Sequence, residues 1–100
     1  MGNPAVGKRV AVITRDPDRH YQALRSSLGL LLERHAVSLF VLDHEIASSE
    51  EYVDNLGFVD EMGGARYSND PANVDRHGFR PVALGEVGRL LAEHELIIPF

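Results

Sequence analysis

The chain contains no cysteine and no tryptophan. Without a thiol, disulfide bridges, thiolate metal sites and a cysteine nucleophile are all excluded. No apolar run approaches the roughly 20 residues needed to span a bilayer. Residues Met1 to Lys8 lack the apolar core of a signal peptide. Positive charge is also scarce. Ten Lys and Arg stand against fifteen Asp and Glu, for a formal net charge of −5 and a pI near 5.4. That balance argues against a phosphate-backbone partner, because nucleic-acid modules carry a basic face. Lys8 is the single lysine, so nine of the ten basic residues are arginine. The expected compartment is cytoplasmic, with no membrane and no nucleic-acid partner.

What is present is ordinary for a globular domain. Hydrophobic residues make up 44% of 100 residues, enough for one core and far from a disordered composition. A domain this size buries roughly 60–70% of its unfolded surface, so oligomer contacts would add useful stability. The expected organisation is a flexible leader over residues 1–7, with Gly2, Pro4 and Gly7, then one domain over residues 8–100.

Lys8 to Thr14 is a short continuous apolar run rich in β-branched residues, suited to a strand buried on both faces. Asp16-Pro17-Asp18 punctuates the chain, and either aspartate has the chemistry of a helix cap. Arg19 to His35 reads as a helix with an apolar stripe of Tyr21, Leu24, Leu28, Leu31, Leu32 and His35. Gly29 in that helix suggests a close approach to the sheet. Val37 to Asp43 is a second strand. Ser48 and Ser49 before Glu50 and Glu51 announce a helix to Met62, with Tyr52, Val53, Leu56, Val59 and Met62 buried and Phe58 off the stripe. Gly63-Gly64 stops it.

Ala65 to Ser68 is a shorter strand. Residues 69–79 form the longest polar stretch, with room for a helical turn after Pro71. Pro81 to Leu84 is extended, Gly85 to His94 helical, and Leu96 to Phe100 a closing strand. This alternation predicts an α/β fold: a small single-domain parallel (flavodoxin-like) sheet of 4–5 strands with helices on both faces.

In such sheets ligands bind outside the carboxyl ends of the strands. The loops there carry Arg15, Asp16 and His20 after the first strand, Asp43 and His44 after the second, and Ser68 and Asn69 after the third. These seven are the candidate ligand-binding residues. The alternative for each alone is a solvated loop or a helix cap. No paired motif supports a metal at His20, Asp43 and His44, and none is assigned. His20 with Asp16 or Asp43 has the chemistry of a general base, but no nucleophile accompanies it. Ser68 lies outside any G-x-S-x-G elbow. Neither a Walker loop nor G-x-G-x-x-G is present, and no cofactor is assigned. His35 and His94, near helix ends, read as structural groups that meet the last carbonyls.

The order of elements resembles the DsrE/DsrF-like sulfur-relay family. The resemblance rests on Lys8-Arg9-Val10-Ala11-Val12-Ile13, the helix from Tyr21 to Leu32, Leu39-Phe40-Val41-Leu42-Asp43, and above all Leu84 to Ala92 followed by Leu96-Ile97-Ile98-Pro99-Phe100. It covers residues 8–100. It implies a trimer or hexamer, or a subunit beside a cysteine-bearing paralogue, with Phe58, Phe79 or Phe100 available for contacts. Relay members of that family carry a persulfide on a cysteine beyond the third strand. The matching stretch here is Ala65 to Asp70, where Ser68 or Asn69 takes that place and neither can hold an S–S bond. The resemblance therefore implies a non-catalytic member, a partner subunit in sulfur-relay-type metabolism without transfer chemistry of its own.

Overall fold

The computed structural model describes residues 7–46 and 49–100. Among these, the chain runs β1 (Arg9–Thr14), α1 (His20–Leu32), β2 (Ala36–Val41), α2 (Glu50–Glu61), β3 (Ala65–Ser68), α3 (Pro71–His77), β4 (Arg80–Pro81), α4 (Leu84–Leu91) and β5 (Leu96–Pro99). The strands form one sheet in the order β4-β3-β2-β1-β5, and every pairing is parallel. The α/β fold read from the sequence is the fold observed.

Alternation along the strands feeds two cores. Val10 and Val12 of β1 and Val37, Leu39 and Val41 of β2 face α1 and α2, where they meet Leu24, Leu31, Tyr52, Leu56 and Val59. Ala11 of β1 and Phe40 of β2 point the other way and join Val82 and Val87. A right-handed crossover fixes which helix covers which face. The chain steps from β1 through β4 in one direction, so α1, α2 and α3 share a face. It then returns past β1 to β5, so α4 lies on the opposite face. The Cα radius of gyration is 13.0 Å, the value of one compact domain of about 100 residues. Among the described residues no helix is long and apolar enough to cross a membrane.

Several local expectations change. The buried stripe of α1 is His20, Ala23, Leu24, Ser27 and Leu31, while Leu32 is 74% exposed. Small residues at 23 and 27 let this helix settle on the sheet. Gly29 has no such role, since a Cβ there would meet nothing within 4 Å. Arg19 stands at the N-cap of α1 without a side-chain cap. Asp16 is spent instead on its own turn, its carboxylate accepting the Asp18 N–H at 2.9 Å. In α2, Ser49 is the cap and accepts the Tyr52 N–H at 3.2 Å; Ser48 lies outside the described residues. Val53 and Met62 are exposed, because the helix turns its acidic face and these residues outward. The polar stretch after β3 is ordered as α3, with Asp70 capping Ala72 N–H and Gly78 closing it in a left-handed conformation. Phe79 is buried under the Arg66 guanidinium, 4.8 Å from its ring centre, so it offers no contact surface.

The histidines near helix ends behave differently from each other. His94 Nδ1 donates to the Leu90 carbonyl at 2.8 Å, as expected of a last-turn imidazole. His35 does the reverse: its Nδ1 accepts the Lys8 N–H at 3.0 Å. Gly7 is tightly packed, because a Cβ there would stand 2.5 Å from the Arg34 carbonyl oxygen.

Candidate functional site

The sheet's winding creates one crevice at the carboxyl edge. The segment leaving β3 turns into α3 on one face, and the segment leaving neighbouring β4 turns into α4 on the other. Adjacent strands whose connections part in this way leave an opening between them, the usual ligand position in open parallel sheets. A cavity of about 510 Å³ occupies that opening, within the range of small-molecule sites. Ser68 and Asn69 line it from β3, Pro71, Val74 and Asp75 from α3, and Pro81, Val82, Ala83 and Glu86 from β4 and α4.

The chain shapes this opening by local chemistry. The Val82 N–H donates to the Ser68 carbonyl at 3.0 Å, which carries the β3–β4 ladder to the crevice floor. Pro71 at the first turn of α3 fits a position needing no N–H. On the α4 side, the Glu86 carboxylate folds back onto the Ala83 N–H at 3.1 Å and pairs with Arg89 at 3.3 Å. The N–H groups of Leu84 and Gly85 belong to the first turn of α4 and have no intrahelical acceptor. Because α4 starts where β4 ends, those amides lie at the same edge.

Beside the crevice, three of the expected residues form one network. Arg15 Nε donates to Asp43 Oδ2 at 2.7 Å. Asn69 bonds Asp43 twice: its Oδ1 accepts the Asp43 N–H at 2.8 Å and its Nδ2 donates to Asp43 Oδ1 at 2.9 Å. Asp43 sits at φ 68°, a left-handed conformation that an aspartate tolerates better than most residues. Asn69, then Arg15, holds the Asp43 carboxyl below the ordinary aspartate range. Asn69 therefore joins the network to the cavity.

His20 and His44 make a separate pair. Their rings stack with centroids 5.3 Å apart, and His20 Nδ1 lies 3.2 Å from His44 Nε2. His44 Nδ1 is 2.9 Å from the Leu42 carbonyl, so it must donate there. In the neutral ring its Nε2 is then the acceptor, and His20 Nδ1 is the donor. Burial first, and the neighbouring His44 second, push the His20 pKa below its ordinary value. Tyr52 meets the His20 ring edge-on at 4.9 Å, and burial raises its phenol pKa.

Two expected residues play other parts. Asp16 serves its turn and does not reach the network. Ser68 is fully buried, its Oγ accepting from Asp70 N–H at 3.1 Å and from Asn73 Nδ2 at 3.0 Å. It floors the crevice and is not presented as a reactive group. Sequence reasoning missed Asn73, which is fully buried and ties the loops together. Its Oδ1 accepts the Ile46 N–H at 2.9 Å and its Nδ2 donates to the His44 carbonyl at 2.9 Å. The signal available was an asparagine in an otherwise solvated stretch, which periodicity does not mark. The α4 side of the crevice was missed because strand order is not written in any single segment. Among the described residues no cluster of three metal-ligating side chains occurs.

Comparison with known protein families, with curated proteins and with solved structures gave no match in any of the three.

Proposed function

We propose that this chain is a binding domain that holds a small, largely apolar molecule with one hydrogen-bonding end in the crevice between α3 and α4. The observation that carries this reading is the coincidence of the cavity with the point where the sheet's winding reverses. Pro71, Val74, Pro81 and Val82 offer the apolar walls. The Asn69 amide and the first-turn N–H groups of α4 meet the polar end. Bonded to Asp43, Asn69 is fixed in orientation, which favours recognition over adaptation. Neighbouring Arg15, Asp43, His20 and His44 form the rim of this same edge.

A second reading concerns where such a domain works. The fold class agrees with the resemblance to the DsrE/DsrF-like family, and the chain has no cysteine. We propose on that ground a partner or oligomeric subunit in cytoplasmic sulfur-relay-type metabolism, beside a subunit that carries the persulfide.

The two readings separate in experiment. For the first, amide NMR shifts are followed while a fragment library of neutral and anionic compounds is added. Binding should move Ser68, Asn69, Val82, Ala83 and Glu86, and Ala83→Trp, which fills the crevice from an exposed position, should abolish it while the fold survives. Shifts confined to other surfaces, or none across the library, would sink the binding reading. For the second, affinity capture from the native host should return a cysteine-bearing homologue of this chain. Recovery of the chain alone counts against it and leaves the crevice untouched.

A further inference from the structure

We infer that two copies of this chain pair through β5, antiparallel across a two-fold axis at Ile97, to build one continuous sheet of both copies' strands. Nothing in this pairing depends on the crevice.

The sheet has two very different edges. β4 is a two-residue strand, Arg80–Pro81, short and guarded by a charge and a proline, both common ways of blocking edge pairing. β5 carries Leu96, Ile97, Ile98 and Pro99 without a charge. Leu96 is 44% and Ile97 46% exposed. An apolar edge strand without a charge, its one proline turned toward β1, is a template for another strand.

The backbone specifies which groups are on offer. Glu95 N–H donates to the Arg9 carbonyl at 2.8 Å, so odd-numbered positions turn their backbone toward β1. Leu96 and Ile98 therefore turn their N–H and C=O groups to the outer edge, which pairs with no further strand among the described residues. Pro99 has no N–H where the next ladder bond would fall, and Phe100 N–H reaches the Ile13 carbonyl instead at 2.7 Å.

A second copy matches this pattern. With Ile97 opposite its own symmetry mate, Leu96 of each copy faces Ile98 of the other. Each such pair exchanges both backbone bonds in an antiparallel ladder. All the edge groups of Leu96 and Ile98 are then satisfied. Side chains match as well. Leu96 aligns with Val10 and Ile98 with Val12 on the α1 face, and Ile97 aligns with Ala11 on the α4 face. Leu96 thus meets Ile98 and Ile97 meets Ile97, apolar on apolar on both faces. Glu95 falls opposite Pro99, so no like charges oppose each other. The contact is small, so the association is expected to be weak and reversible. Being two-fold, it is compatible with a dimer or a hexamer and not with a bare trimer.

Sedimentation velocity on the full chain, from about 5 µM to about 1 mM, should show a reversible monomer–dimer equilibrium. Ile97→Lys should weaken it about tenfold or more with an unchanged circular dichroism spectrum. Because the chain has no cysteine, Ile97→Cys gives a second readout. The two new thiols would face each other in a non-hydrogen-bonded pair, close enough to bridge. Under mild oxidation it should form a disulfide dimer much faster than Phe58→Cys, an exposed position on α2. A strict monomer at the highest concentration, association that survives Ile97→Lys, or equal cross-linking of the two cysteine variants would each overturn the inference.

Discussion

Asn73 stands where three segments of chain meet, and its amide is divided among them. The carbonyl end holds Ile46 N–H, and the amino end holds the His44 carbonyl and Ser68 Oγ. All of this happens at zero exposure, where a group left unpaired costs about 1–3 kcal/mol. Asn73→Ala should therefore lower stability by about 3 kcal/mol in urea unfolding. Asn73→Asp should also destabilise, because a carboxylate would face the His44 carbonyl that the amide now serves. A loss below the size of an ordinary surface change would show that the loops hold without it. His20 supplies a pH effect of definite sign. Its pKa is lowered in the fold, chiefly by burial, so the unfolded chain binds more protons at mildly acidic pH. Stability from this group is fully present above the unfolded value near 6.5 and falls as pH drops below it. Urea midpoints taken between about pH 5 and pH 8 should rise with pH, and His20→Asn should flatten that rise. At this scale the sequence was only partly legible. The polar residues were visible at their strand ends, but which were spent on turns and which on one another depends on partners 26 or 28 positions away, as for Asp43 with Asn69 and Arg15.

The helices show what periodicity conveys and where it stops. Spacing located α1 and α2 to within a few residues, because apolar residues recur at helical intervals. It misjudged the rotation of α1, choosing leucines over the smaller Ala23 and Ser27 that the helix buries. Size decides such contacts, and a hydropathy pattern does not register size. Gly29 is the corollary. In mid-helix, with open space where a methyl group would stand, glycine costs about 0.5–1 kcal/mol relative to alanine. Gly57 of α2 is also unobstructed. Gly29→Ala and Gly57→Ala together should raise stability by about 1–2 kcal/mol, read as a higher urea midpoint with an unchanged slope. Gly64 offers the contrast: a Cβ there would stand 2.7 Å from Val59 Cγ1, and Gly64→Ala should destabilise. If Gly29→Ala were destabilising, the helix would have to approach the sheet more closely than the structure has it.

For the whole molecule, the two faces of the sheet are unequal. The α1–α2 face carries the larger core, with Leu24, Leu39, Tyr52, Leu56 and Val59 all essentially sealed from solvent. The other face rests on Ala11, Phe40, Leu42, Val82 and Val87, and Val87 is the one buried residue that α4 contributes. His94 adds one polar clasp, its Nε2 lying 3.1 Å from Ser38 Oγ. This asymmetry follows from topology: three crossovers in one direction and one in return put three helices on one side and one on the other. No single segment reveals it, since the pattern of β4 and α4 reads the same on either face. Unequal burial means unequal local stability, because elements with few buried apolar contacts open below the global limit. Native-state hydrogen exchange should therefore show α4 and β4 opening at lower free energy than β1, β2 and α1. Val87→Ala should loosen α4 selectively, raising its exchange while β2 amides keep their rates, whereas Leu39→Ala should raise exchange everywhere. Equal protection of α4 and β2 would mean that the thin side is held by more than its visible core, and pairing at the neighbouring β5 edge would be the first explanation to test, by repeating the exchange at a concentration where the chain is monomeric.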